Sequence, residues 1–139
     1  MCRKCIVLVS LLGLLFSHAF CFGAECLNDM PHQKIYAINK EDNGKVLNVR
    51  CGDLIRIELE TLGGAGYNWY VDTLNADYVE LLPGIPNHTP GGEIGAPVRG
   101  VWLFKSKQKG VSEIKMDHYR IWEGKEKAIG HFSVILSIE

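Results

Sequence analysis

The sequence has no surplus of charge of either sign, with 15 lysines and arginines against 16 aspartates and glutamates. It therefore offers neither a basic patch that grips nucleic acid nor an acidic tail, and no nucleic-acid partner is expected. A long helical period is also missing, although residues 74–82 could hold a short turn. There is no internal repeat and no low-complexity segment. The N-terminal apolar run, residues 6–16, is broken by Ser10 and Gly13. It falls short of the roughly 20 apolar residues that cross about 30 Å of hydrocarbon. Catalytic constellations are absent too. His32, His88, His118 and His131 lack metal-ligand spacing, so no metal and no other cofactor is expected. Asp117-His118 has no nucleophile beside it, and neighbours on a strand face opposite ways. The chain does not read as an enzyme.

What is present begins with an export signal. Arg3 and Lys4 are followed by the apolar run, and small residues then stand at cleavage spacing, as Cys21-Phe22-Gly23 before Ala24 or Ser17-His18-Ala19 before Phe20. These are the three parts of a secretory leader. Residues 1–23 are expected to be cleaved, leaving a domain over 24–139 that is secreted or periplasmic, free of the membrane and monomeric. Phe20 and Glu25 are poor residues to precede a lipoprotein cut at Cys21 or Cys26. Cleavage removes Arg3 and Lys4 but no acid, so 13 basic residues face 16 acidic ones and the formal charge becomes −3. It also removes Cys2, Cys5 and Cys21. Only Cys26 and Cys51 remain, an even count that suits an oxidising compartment and makes a disulfide between them possible.

The 139 residues suit one domain. From Lys34 onward they read as short strands separated by Gly, Pro, Asn and Asp. Ile55, Ile57 and Leu59 alternate with Arg56, Glu58 and Glu60, and Phe132, Val134, Leu136 and Ile138 alternate with His131, Ser133, Ile135 and Ser137. Ile114 and Met116 alternate with Glu113 and Lys115, while residues 101–104 are apolar on both faces, as in a central strand. Asn43-Gly44 marks a tight turn. Some six or seven strands at spacings of about 8–12 residues predict an all-β antiparallel sandwich of two sheets. Between Pro83 and Gly100 lie four prolines and five glycines, a long irregular stretch of the kind that often carries function.

Three segments stand out. The first, Leu59-Glu60-Thr61-Leu62-Gly63-Gly64-Ala65-Gly66-Tyr67-Asn68-Trp69, follows a strand and ends in Gly-aromatic-x-Trp. The second, Gly91-Gly92-Glu93-Ile94-Gly95-Ala96-Pro97-Val98-Arg99-Gly100, is a Gly-rich loop leading into a strand with Trp102 and Phe104. The third is Tyr119-Arg120-Ile121-Trp122-Glu123-Gly124. Their order and spacing resemble the chagasin family of cysteine-peptidase inhibitors, over about residues 34–139. Two positions depart from the family's pattern. Gly64-Ala65 stands where the family has Thr-Thr, and Ile121 where it has Pro.

The resemblance implies an immunoglobulin-like sandwich whose three loops project from one end as a wedge. The wedge would enter the cleft of a papain-like cysteine peptidase without covalent chemistry. The implied peptidase-binding residues are Leu62, Gly63, Gly64, Ala65, Gly66 and Tyr67 in the first loop, Gly92, Gly95 and Arg99 in the second, and Arg120, Ile121 and Trp122 in the third. The chemistry is suitable. Gly63, Gly64 and Gly66 bring bare backbone close to a cleft that reads peptides. Trp122 can supply a rigid apolar anchor, with Arg120 beside it to hydrogen-bond.

Plainer readings stand beside these. Trp69 is expected in the core and Tyr67 at the loop base, and the first-loop glycines serve a tight turn as readily as a partner. Arg120 could simply pair with Glu123 at the surface, and Cys51 reads as structural. The competing function is an exported immunoglobulin-like adhesion or ligand-binding module without inhibitory activity, for which the Gly64-Ala65 replacement is the argument.

Overall fold

The computed structural model of the chain describes residues 33–83 and 98–139. The expected leader and its cleavage site, Cys26, Gly92 and Gly95 lie outside the described residues.

Eight strands appear among the described residues: β1 (Ile35–Ile38), β2 (Val46–Val49), β3 (Leu54–Thr61), β4 (Asn68–Leu74), β5 (Val79–Leu81), β6 (Val98–Ser106), β7 (Gly110–Tyr119) and β8 (Gly130–Ile138). They form two four-stranded sheets, ordered β1-β3-β6-β5 and β2-β8-β7-β4. The period-two patterns set which face of each sheet turns inward. Ile55, Ile57 and Leu59 from β3 meet Phe132, Val134 and Leu136 from β8, with Ile114 and Met116 from β7, in one core. Trp102 and Phe104 of β6 join them, and each such large side chain contributes about 1.5–3 kcal/mol by leaving water. Val101 and Leu103, on the other face of β6, are only half-buried. The strand is apolar on both sides but covered on one, because a two-layer sandwich packs each sheet on a single face.

Two corners route the chain between sheets. At Asn43-Gly44 the amide of Lys45 donates to the carbonyl of Asp42 at 3.1 Å. Asn43 keeps φ at −56° and only Gly44 turns left-handed, at 78°, a type II turn. Asn43 ties the corner to β8 instead, its Oδ1 accepting from the Ser133 amide at 2.8 Å. At the second corner the buried Asp53 carboxylate accepts the amides of Arg50 at 2.9 Å and Lys34 at 3.0 Å. Because the chain crosses to the other sheet and back, β1 and β3 run the same way and pair in parallel, as do β2 and β8. The other ladders are antiparallel.

These ladders also place the loops. Thr61, the last residue of β3, pairs with Val98, the first of β6, and Asn68, the first of β4, pairs with Tyr119, the last of β7. The connection from β3 to β4, the approach to β6 and the connection from β7 to β8 therefore emerge at one end. Aromatic rings close the core there. Trp69 stacks on His118 with centroids 4.7 Å apart and planes 7° from parallel, and its indole N–H donates to the carbonyl of Glu60 at 2.9 Å. Trp69 is thus a packing residue.

Candidate functional site

The first loop, residues 62–67, is built on one tight helical turn, Gly63–Ala65. The amides of Ala65 and Gly66 donate to the carbonyls of Leu62 and Gly63 at 2.9 and 3.0 Å. Gly66 ends the turn at φ 80°, a left-handed conformation in which a side chain is strained. At the base, the Thr61 hydroxyl donates to the carbonyl of Tyr67 and lies 3.2 Å from His118 Nε2. Thr61 and His118 come from opposite sheets, so this contact joins the two layers directly under the loop. With its hydroxyl proton given to Tyr67, Thr61 accepts from His118, which places the imidazole proton on Nε2. Burial holds the His118 pKa below the ordinary histidine value.

The third loop, residues 120–129, starts with a turn in which the amide of Glu123 donates to the carbonyl of Arg120 at 2.9 Å. A second turn, Lys125–Lys127, follows Gly124, and the Ile129 amide returns to the His118 carbonyl at 2.8 Å. On its outer side Lys125 pairs with Asp72 of β4 and lies 3.6 Å from Asp117 of β7. That contact raises the Lys125 pKa and lowers that of Asp72, in each case chiefly through the hydrogen bond between them. Asp117 is buried and also meets His131 Nδ1 of β8 at 2.7 Å.

The two loops are locked to one another. Arg120 Nε donates to the Ala65 carbonyl at 2.8 Å, its guanidinium lies over the Tyr67 ring at 4.4 Å, and Nη1 pairs with Glu123 at 2.9 Å. That hydrogen bond to Glu123 is the main reason its pKa is raised. Beside it, the Trp122 ring rests on Gly66, where an added Cβ would stand 2.1 Å from Trp122 Cη2. What remains facing solvent is an apolar rim: Trp122 is 68% exposed, Ile121 64% and Leu62 48%. Gly64 sits in open space, with no atom within 4 Å of where its Cβ would be.

The expected site residues divide accordingly. Leu62, Gly63, Gly64, Ala65, Gly66 and Tyr67 meet Arg120, Ile121 and Trp122 in one feature. Of the second loop, Val98 lies 3.8 Å from the Cβ position of Gly63, and Arg99 occupies the same end. The Arg99 guanidinium, however, lies 3.7 Å from Glu58 along the outer face of β3. Tyr67 packs at the base, 5.6 Å from His118 by ring centroids. The Arg120–Glu123 pair exists, but it serves a guanidinium that also bridges the loops. The sequence reading missed Thr61 with His118, and Lys125 with Asp72 and Asp117. The first pair was open to the alternation rule, since Thr61 shares the parity of Leu59 and His118 that of Met116. The second pair depends on how the loop folds back.

Among the described residues no group of three or more His, Cys, Asp or Glu could hold a metal ion. A rigid sandwich with an exposed apolar rim on interlocked loops has the architecture of a protein that binds another protein. Comparison with known proteins gives the class a family. The family model for chagasin family peptidase inhibitors (I42) matches residues 48–136, and the chain belongs to that family, one of inhibitors and not of enzymes. Amoebiasin-2 of Entamoeba histolytica is 30% identical over 100 residues, 66% of this chain and 76% of that protein. The crystal structure of a cysteine protease inhibitor from the same organism superposes with a TM-score of 0.69 at 24% identity, covering 79% of this chain and all of the other. The structure of PbICP-C in complex with falcipain-2 gives 0.51 at 16% identity, over 81% of this chain and 96% of the other. These likenesses agree with the immunoglobulin-like all-β sandwich expected from the strand pattern.

Proposed function

We propose that the chain is a reversible, non-covalent inhibitor of papain-like cysteine peptidases, and that it inserts the loop end of the sandwich into the active-site cleft. One observation carries the reading: Trp122 seated on Gly66, with Arg120 bonded to Ala65, fuses the first and third loops into a single preformed rim. A rim ordered before binding loses little further entropy on docking. The first loop would cover the catalytic cysteine with backbone and small side chains, and Leu62, Ile121 and Trp122 would pack against the cleft walls. The relatives named above, inhibitors by family, and the falcipain-2 complex of PbICP-C support the target class. The second loop, with Gly92, Gly95 and Arg99, is proposed to complete the wedge.

The same proposal covers the life of the chain before binding: removal of residues 1–23, export to the medium or periplasm, a disulfide from Cys26 to Cys51 and action as a monomer. Intact mass of the exported protein should lack residues 1–23, and soluble material retaining Met1 would refute that part. Titration of papain or a cathepsin with the purified domain tests inhibition. Tight, reversible, one-to-one loss of activity is expected. No inhibition at micromolar concentration would overturn the proposal in favour of a non-inhibitory binding module.

A further inference from the structure

The third loop is held from two sides, and only one of them touches the first loop. Arg120 fastens its leading turn inward to Ala65. Lys125, three residues beyond Trp122, fastens its trailing turn outward to the sheet. The ammonium meets Asp72 on β4 and Asp117 Oδ2 on β7, at 3.6 Å for the second. Asp117 is fixed in turn by His131 of β8 at 2.7 Å, and its side chain is only 9% exposed. Lys125 therefore ties the loop that carries Trp122 to two adjacent strands, and Asp117 extends the network to a third. Gly124, between Trp122 and Lys125, takes φ 85°, a left-handed conformation that favours glycine.

We infer that Lys125 is a positioning residue for the wedge: by clamping the loop to Asp72 and Asp117 it sets the pose in which Trp122 meets the peptidase. The inference rests on the proposed inhibitor function for its binding consequence but not for its structural one. The polar partners of Lys125 are Asp72 and Asp117, neither of which belongs to the rim. Lys125 is half-exposed, where ion pairs add little to global stability, and the buried Asp117 keeps His131 as a partner without it, so the clamp acts on loop order and barely on the melting temperature.

Two readouts on the same variants test this. Amide exchange over residues 121–129 should quicken in Lys125→Met and return toward the wild-type rate in Lys125→Arg, which keeps the charge. Inhibition of papain should weaken roughly three- to tenfold in Lys125→Met, the scale of re-ordering one or two side chains on binding. The same substitution should change little in a Trp122→Ala background, because a residue acting through Trp122 couples to it. Unchanged exchange in Lys125→Met would overturn the clamp whatever the peptidase does. An equal loss of inhibition with and without Trp122 would overturn the positioning role, since Lys125 would then act directly. If the wild-type protein fails to inhibit at all, the inhibitor reading falls, while the exchange measurement still decides the clamp.

Discussion

Gly64 and Gly66 are two residues apart and do different things. Gly66 lies at φ 80° beneath Trp122, whereas Gly64 has no positive φ and open space around it. Gly66→Ala should therefore unseat the Trp122 ring and weaken inhibition through the geometry of the rim. Gly64→Glu should leave the melting temperature unchanged and still weaken inhibition by putting bulk and charge at the tip. A calorimetric scan beside an inhibition titration separates the two. Trp122→Ala should raise the inhibition constant by the equivalent of about 2 kcal/mol or more, as for an interface anchor. Its ring is mostly solvent-facing, so the thermal midpoint should barely move. Arg120 looked from its neighbours like a partner-facing donor. The structure pairs its Nη1 with Glu123, as the third segment allowed, and turns its Nε to Ala65, a role that needs two loops side by side and has no trace in either segment alone.

Within the elements, alternation was legible wherever one face of a strand is buried. The patterns of β3 and β8 predicted the inward residues correctly, Ile55 and Ile57 on one, Val134 and Leu136 on the other. Val101 and Leu103 suggested a strand covered twice over, because composition reports hydrophobicity and not how many layers a fold stacks. Asp117 and His118 illustrate the same rule at one step. His118 faces inward to Thr61 and Trp69, and Asp117 faces outward to His131 and Lys125. The inward position gives a pH dependence of known sign. Burial depresses the folded-state pKa of His118, so the unfolded chain takes up the proton first. The contribution to stability is complete above about pH 6.5 and is lost as pH falls through the lowered folded value. Melting temperature measured from pH 7.5 down to pH 5 should fall, and His118→Gln should flatten that slope. A wild-type profile parallel to that of the variant would contradict it.

Across the whole molecule, the two ends of the sandwich are specialised. Cys51 sits in the corner between β2 and β3, where its amide donates to the Glu139 carbonyl at 3.0 Å, at the opposite end of β3 from Thr61. It is disulfide-bonded, and the proposed partner Cys26 lies outside the described residues. Cys51→Ser should cost about 3 kcal/mol in the chain-entropy account of a loop of this order. Inhibition at a temperature where the variant is folded should be retained, because the bond is remote from the rim. Urea denaturation beside an inhibition assay checks both halves, and loss of inhibition in a folded variant would show that the ends are coupled.

The sequence by itself determined the all-β class, the inward face of most strands and the family resemblance. Each of these is a local property, set by period-two alternation, turn-forming residues or a short motif. Only the tertiary structure decided that β1 and β2 pair in parallel with β3 and β8, that Arg99 leans along the outer face of β3, and that Arg120 and Lys125 hold the third loop from opposite sides. Those outcomes depend on partners remote in sequence, 19 residues away for β1 with β3 and more than 50 for Arg120 with Ala65 and Lys125 with Asp72. Chain order does not say which remote segments meet; the packing of two sheets around a shared core does.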